Sequence, residues 1–264
     1  MKRLLAALMR LSWRLAALSL ILLALYVALG RELVPLVAEY RLELEDRARA
    51  QGLALRIGRL EGSWKGLAPV VVARDVAVGE GADLVHLDQL RITPNVLASL
   101  WHRAPRVAHL ELEGLQLQLR EQADGRWRLD GLPARNDQAA LDPAQLLERL
   151  RVVERISLTG SRLVIEPLDG QALALTYVNL SLYSRDSRQH VDGRLVLPDG
   201  QPLAVHLSAE VDRAAWRESS ASGYLSLPQS DWAAWLPERL VPDWSLKTLR
   251  VGGEVWFGWS AGSL

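Results

Sequence analysis

Hydrophobic positions follow three successive patterns along this chain. From Leu11 to Leu29 they are nearly continuous, and no charged residue occurs between Leu15 and Gly30. Nineteen helical residues rise roughly 28 Å, about the hydrocarbon thickness of a bilayer. The pattern predicts a transmembrane helix, with Leu15, Leu18, Ile21, Leu22 and Leu25 as membrane-anchor residues. Lys2, Arg3, Arg10 and Arg14 lie at its start with no acidic residue among them. By the positive-inside rule the amino terminus is cytoplasmic and everything after Gly30 lies across the membrane. A cleaved signal peptide begins similarly, and Ala28-Leu29-Gly30 offers the small residues of a cleavage site. The retained anchor is the better reading, because the apolar run is long for a signal peptide and the chain continues as an amphipathic helix. Either way, residues 31–264 are exported.

The second pattern has helical spacing. Leu33, Val37, Tyr40 and Leu44 fall on one face of a helix predicted over Arg31–Gln51, with Pro35 in its first turns and Gly52 as its stop. Such a helix either caps a core or plugs the membrane-proximal end of a sheet.

The third pattern has period two and begins at Leu53. Strands are expected around Leu53–Ile57, Val70–Val78, Leu84–Ile92, Leu173–Leu182, Val191–Leu197, Leu203–Val211 and Tyr224–Leu227, with Pro198-Asp199-Gly200 as a hairpin turn. Short helices are expected after Thr93-Pro94, after Asp142-Pro143 and over Ser230–Leu236, the first with Thr93 as N-cap. The cleanest alternation is Leu110 and Leu112 against Glu111 and Glu113, then Leu117 and Leu119 against Gln116, Gln118 and Arg120. One face is apolar and the other wet, as in an antiparallel sheet. The phase slips at Gly114, so a bulge there is expected to absorb Leu115 and keep Leu112 and Leu117 on one face.

This segment repeats. With Gly114 set on Gly160, Leu110, Leu112, Leu117 and Leu119 meet Ile156, Leu158, Leu163 and Ile165. A third copy fits at Gly253, with Leu246, Leu249, Val251 and Trp256 in register, and a partial one at Gly62. Units this small cannot bury an apolar face alone, so they must stack into an extended sheet.

Composition narrows the chemistry. Thirty-one basic residues balance 31 acidic ones, so no charge excess points to nucleic acid. There is no cysteine, which excludes disulfides and thiolate chemistry. His86, His102, His109, His190 and His206 have no partner at metal-ligand spacing. HExxH, Gly-x-Ser-x-Gly and phosphate-loop patterns are missing, and Gly58-Arg59-Leu60-Glu61-Gly62 is no nucleotide loop. Asp75, Asp88 and Asp192 read as solvated strand or turn residues, and Trp64, Trp127 and Trp256 as covers for sheet rims. No enzyme, cofactor or metal site is expected.

An ordered set of motifs carries a family resemblance: Leu-Glu-Gly-Ser-Trp-Lys-Gly-Leu-Ala-Pro (60–69), Ala-Arg-Asp-Val-Ala-Val (73–78), Ser-Leu-Trp (99–101), Leu-Glu-Leu-Glu-Gly-Leu-Gln-Leu-Gln-Leu-Arg (110–120) and Asp-Gly-Arg-Trp (124–127). With the basic single-pass start, these resemble the N-terminal region of the YhdP-like members of the AsmA-like family of Gram-negative envelope proteins. Gly-Glu-Val-Trp-Phe-Gly-Trp (253–259) resembles a later repeat of that family. The resemblance implies a mainly β fold with short helices: a transmembrane helix, then an extended, curved antiparallel groove built from repeats. It implies phospholipids as partners, carried between inner and outer membranes. Leu110, Leu112, Leu117, Leu119, Ile156, Leu158, Leu163 and Ile165 are the lipid-groove candidates it selects. The expected organisation is tail and anchor over 1–30, amphipathic helix over 31–52 and groove over 53–264. Relatives are several times longer, so the groove is expected to be truncated and to lack a region that meets outer-membrane components. Two other classes remain: a scaffold for outer-membrane protein assembly, and an exported enzyme with an unrecognised site.

Overall fold

The computed structural model of the chain describes residues 2–79, 84–123, 125, 127–130, 153–169, 171–185, 188–210, 220–235 and 247–260. The helix expected after Asp142-Pro143 and the end of the third repeat copy at Leu246 lie outside these residues.

Helix α1 spans Lys2–Leu33. Its anchor residues Leu15, Leu18, Ile21, Leu22 and Leu25 are 51–58% exposed, and the apolar stretch of mean hydropathy 2.0 has no protein packed over it. Leucines bare on every side require an apolar solvent, so α1 fits a single-pass membrane anchor. The expected second helix divides into a 3₁₀ segment, Val34–Tyr40, and helix α2, Arg41–Ala50. Two causes meet at the break. Pro35 supplies no N–H, and the Val34 carbonyl lies where a side chain at Gly62 would have to sit. Gly52, at φ +78°, ends α2, and the Leu53 N–H returns to the Ala48 carbonyl at 2.9 Å.

One 12-stranded sheet follows. Its strands are β1 (Leu55–Lys65), β2 (Ala68–Val78), β3 (Val85–Pro94), β4 (Val107–Glu113), β5 (Gln116–Glu121), β6 (Trp127–Asp130), β7 (Val153–Glu166), β8 (Leu173–Arg185), β9 (Arg188–Val196), β10 (Pro202–Glu210), β11 (Ser220–Asp231) and β12 (Arg250–Ser260). The order is β1-β2-β3-β4-β7-β8-β9-β10-β11-β12; β5 pairs with β7 and carries β6 on its other side. The curved sheet is antiparallel with one exception: β4 and β5 both pair with β7 in parallel. Residues 131–152 separate β6 from β7, long enough for the crossover that a parallel pair needs.

Helix α3 (Val96–His102) starts two residues later than expected. Pro94 is the last residue of β3, opposite Val107, and Asn95 is the cap, accepting the Ala98 N–H at 3.0 Å. The helix expected over Ser230–Leu236 is, among the described residues, only a 3₁₀ turn at Ala233–Trp235. Ser230 and Asp231 belong to β11 instead. The Asp231 carboxylate accepts N–H bonds from Leu249 (2.9 Å) and Ala233 (3.2 Å), which tie the segment to the sheet and hold its pKa below the ordinary carboxylate range.

A crease crosses the sheet from β1 to β8. At Gly58–Asp75, Asp88–Gly114 and Gly160–Tyr177 the alternation slips by one; Asp75, Gly114, Gly160 and Tyr177 have φ of +52°, +71°, +57° and +48°. Because neighbouring strands slip together, the apolar side stays on one face. Leu115 is not lost in the slip: it packs with Leu112 against the cluster Ile57, Leu60, Ala73, Val76 and Leu87. Val37 of the 3₁₀ segment joins this cluster, so the element before the sheet covers its first strands.

On edge strand β1, side chains fill the open backbone bonds of Ile57. Arg41 donates to the Ile57 carbonyl at 2.8 Å, and Glu45 accepts the Ile57 N–H at 2.9 Å. The pair acts as a one-rung substitute for a neighbouring strand.

Candidate functional site

Residues paired in register on adjacent strands share a face of a sheet. Followed from β1 to β12, one row of partners reads Leu60, Ala73, Leu90, Leu112, Leu158, Leu180, Gly193, Val205, Leu225, Val255. Two residues along each strand, a second row reads Gly62, Val71, Ile92, Leu110, Ile156, Leu182, Val191, Leu207, Gly223, Phe257. Neither row contains a polar side chain. Where the rows contain glycine, neighbours fill the space: a Cβ at Gly193 would strike Val205 and Leu180, and one at Gly223 would strike Phe257 and Leu207.

The row between them points the other way. It reads Glu61, Val72, Arg91, Glu111, Ser157, Ser181, Asp192, His206, Tyr224, Trp256. Its polar side chains are paired along the sheet, Arg91 with Glu111 and His206 with Asp192, both at 2.6 Å. His206, Tyr224 and Trp256 then form an aromatic ladder with centroids 5.8 and 5.3 Å apart. Beside it His109 meets the Ser157 hydroxyl at 2.9 Å, and desolvation holds its pKa below the usual imidazole range against the opposing pull of Glu111. This face is wet from β4 onward; at its start Val72 is buried, and the Arg91 Nε is buried without a hydrogen-bond partner.

The apolar face is only partly covered. Most residues of the two rows from β3 onward are half-buried, and Leu207, Phe257 and Val255 are 37%, 36% and 45% exposed. Among the described residues, two places have a second layer. One is the Val37 cluster. The other is around Leu175, Val178 and Leu197, where Trp232 and Trp235 pack over the sheet with their rings edge to face at 5.5 Å. A domain ordinarily closes such a face with another layer. Here the middle of the sheet presents an open apolar strip. Its rim is polar: Glu154, Ser184 and Gln189 lie two residues beyond Ile156, Leu182 and Val191 on the same face.

The eight groove candidates sort themselves on this surface. Leu110, Leu112, Ile156 and Leu158 are rungs of the two rows, Leu112 touching the Val37 cluster and Leu158 the Trp-covered one. Leu163 and Ile165 pack against the Trp-covered cluster, with Leu117 and Leu119 beside them in register. The alignment that set Gly114 on Gly160 turns out to be a physical pairing: Leu110–Ile156, Leu112–Leu158, Leu117–Leu163 and Leu119–Ile165 are parallel cross-strand partners. The copies proposed at Gly62 and Gly253 have no such basis. Gly62 is a rung of the second row, and the counterpart of Gly114 in β1 is Gly58. Gly253 pairs with Leu227 beside the register shift between Leu227 and Ser230 but lacks the positive φ of Gly114 and Gly160, and Trp256 is on the wet face. Rungs on β8 to β11 were legible as alternation; on β12 the expected register named Trp256, which faces away from the rungs Val255 and Phe257, and the glycine rungs carry no hydropathy signal.

A family model, described as YhdP protein, matches residues 1–264. Neither the curated proteins nor the solved structures contain a match. Anchor, creased sheet and open apolar strip all fall within the matched span, and the chain belongs to the YhdP family.

Proposed function

We propose that this chain is an inner-membrane-anchored periplasmic protein whose apolar strip conducts phospholipids between inner and outer membranes, sustaining the outer membrane. The observation that supports it is the pair of rows running across ten strands without a polar side chain. Each acyl methylene sheltered from water is worth about 0.8 kcal/mol. A continuous apolar track therefore lowers the barrier to crossing an aqueous compartment, while headgroups stay in water beside Glu154, Ser184 and Gln189. Transfer of this kind breaks no covalent bond and needs no catalytic group.

The test places a photoreactive residue at Leu158 and scores lipid capture in membranes. Leu110→Glu puts a carboxylate in the next row, at a cost of several kcal/mol once acyl chains exclude water from it. Gln116→Glu is the control: it is exposed on the wet side opposite Arg162. Gln118 is unsuitable, because its amide already donates to Glu166 at 2.6 Å. Capture should fall tenfold or more in Leu110→Glu and be unchanged in Gln116→Glu at equal expression. Equal capture in both would remove the lipid track and favour the assembly scaffold.

A further inference from the structure

The turn between β1 and β2 is fastened to the end of the anchor helix. The Tyr26 hydroxyl donates to the Leu67 carbonyl at 3.0 Å. The Tyr26 and Trp64 rings meet edge to face, centroids 5.1 Å apart. The Trp64 indole N–H donates to the Gly66 carbonyl at 2.9 Å, so the ring belongs rigidly to the turn. Gly30 lies directly under that ring, where any Cβ would collide with it. Helix and turn therefore move as one unit.

The helix fixes the depth of this unit. Arg31 is the first charge after the apolar run, and Tyr26 precedes it by five residues, about 7.5 Å along the axis. Helical side chains lean toward the N-terminus, which carries the Tyr26 hydroxyl no closer to Arg31 than its own Cα. The Leu67 carbonyl bonded to it is held at the level where the apolar run is still unbroken. Tyr and Trp are the aromatic residues that favour the boundary between headgroups and acyl chains. Leu67 is 59% exposed at that level, with nothing of the protein over it, and Lys65 can extend its ammonium outward.

We propose that the β1–β2 turn, Trp64–Leu67, is a second membrane contact: it inserts into the headgroup–acyl boundary of the phospholipid leaflet that surrounds the C-terminal end of α1. Val71, a rung of the second apolar row, lies four residues from Leu67, about 13 Å along β2. The turn thus sets the leaflet beside the start of the rows, which the 3₁₀ segment covers. This deepens the proposed lipid conduction and rests on α1 spanning the bilayer.

The chain has no cysteine, so a single introduced one reports cleanly. Leu67→Cys and, as reference, Asp199→Cys in the exposed turn between β9 and β10 are labelled in detergent with an environment-sensitive fluorophore. The full chain is then reconstituted into phosphatidylethanolamine–phosphatidylglycerol vesicles carrying nitroxide on the upper acyl chain. Quenching at position 67 should exceed that at position 199 at least threefold, with blue-shifted emission. Equal quenching would overturn the proposal, and so would release of the chain from vesicles by alkaline carbonate, since α1 would then not span. Failure of lipid conduction is separable: the turn can insert even where Leu110→Glu leaves capture unchanged.

Discussion

Gly114 and Gly160 face each other across the parallel β4/β5–β7 pairing, and both have positive φ, yet their surroundings differ. A Cβ on Gly114 would land on the Asp88 side chain, whereas nothing lies within 4 Å of one on Gly160. Alanine at either site incurs about 1–2 kcal/mol for the left-handed backbone. Gly114→Ala adds the displacement of Asp88, so it should lose about 1 kcal/mol more than Gly160→Ala. Denaturant midpoints of the two variants check this, and equal midpoints would mean that the crease is not locked at Asp88. The equivalence of these glycines was legible because two leucine alternations slip phase at the same offset. The same crease in β1 and β2 was not legible. There it is carried by Gly58 and by Asp75 at φ +52°, and an aspartate in a strand gives no sign of a left-handed backbone.

Among the elements, edge strand β1 depends on α2. The Arg41–Glu45 pair completes the backbone bonds of Ile57, and the Glu45 side chain is only 13% exposed. Glu45→Ala would leave the Ile57 N–H without its acceptor at a cost of about 1–3 kcal/mol. Hydrogen exchange at Ile57 should accelerate well beyond that of its neighbours, while an amide protected as before would show that water replaces the carboxylate without loss. Helix content before the sheet was legible from spacing, but its division into 3₁₀ and α segments was not, because the division depends on the approach of Val34 to Gly62. The start of α3 misled for a similar reason. Thr93-Pro94 has the chemistry of a helix start, but Thr93 and Pro94 are taken by pairing with β4, and the cap falls to Asn95.

At the scale of the whole molecule, alternation announces an apolar face but not whether anything covers it. Half-buried Ile156 and buried Leu175 sit in strands of the same period, and Trp232 and Trp235 pack over the cluster of Leu175. The open rows have a consequence for traffic. From β3 to β12, eight rungs about 4.8 Å apart make a track about 34 Å long, and every rung is aliphatic, aromatic or glycine. A tail resting on Leu90 meets almost the same surface as one resting on Leu225, so no step along the way is downhill. Photocapture of lipid at Leu90, Leu158 and Leu225 should agree within about threefold, under about 0.7 kcal/mol between stations; a tenfold preference for one would reveal a resting place. A level track has no arrow of its own. Under the lipid conduction proposed above, net flow along it is set by whichever end loads lipid faster or removes it sooner, so the supply and the demand at the two membranes, not the protein between them, choose the direction.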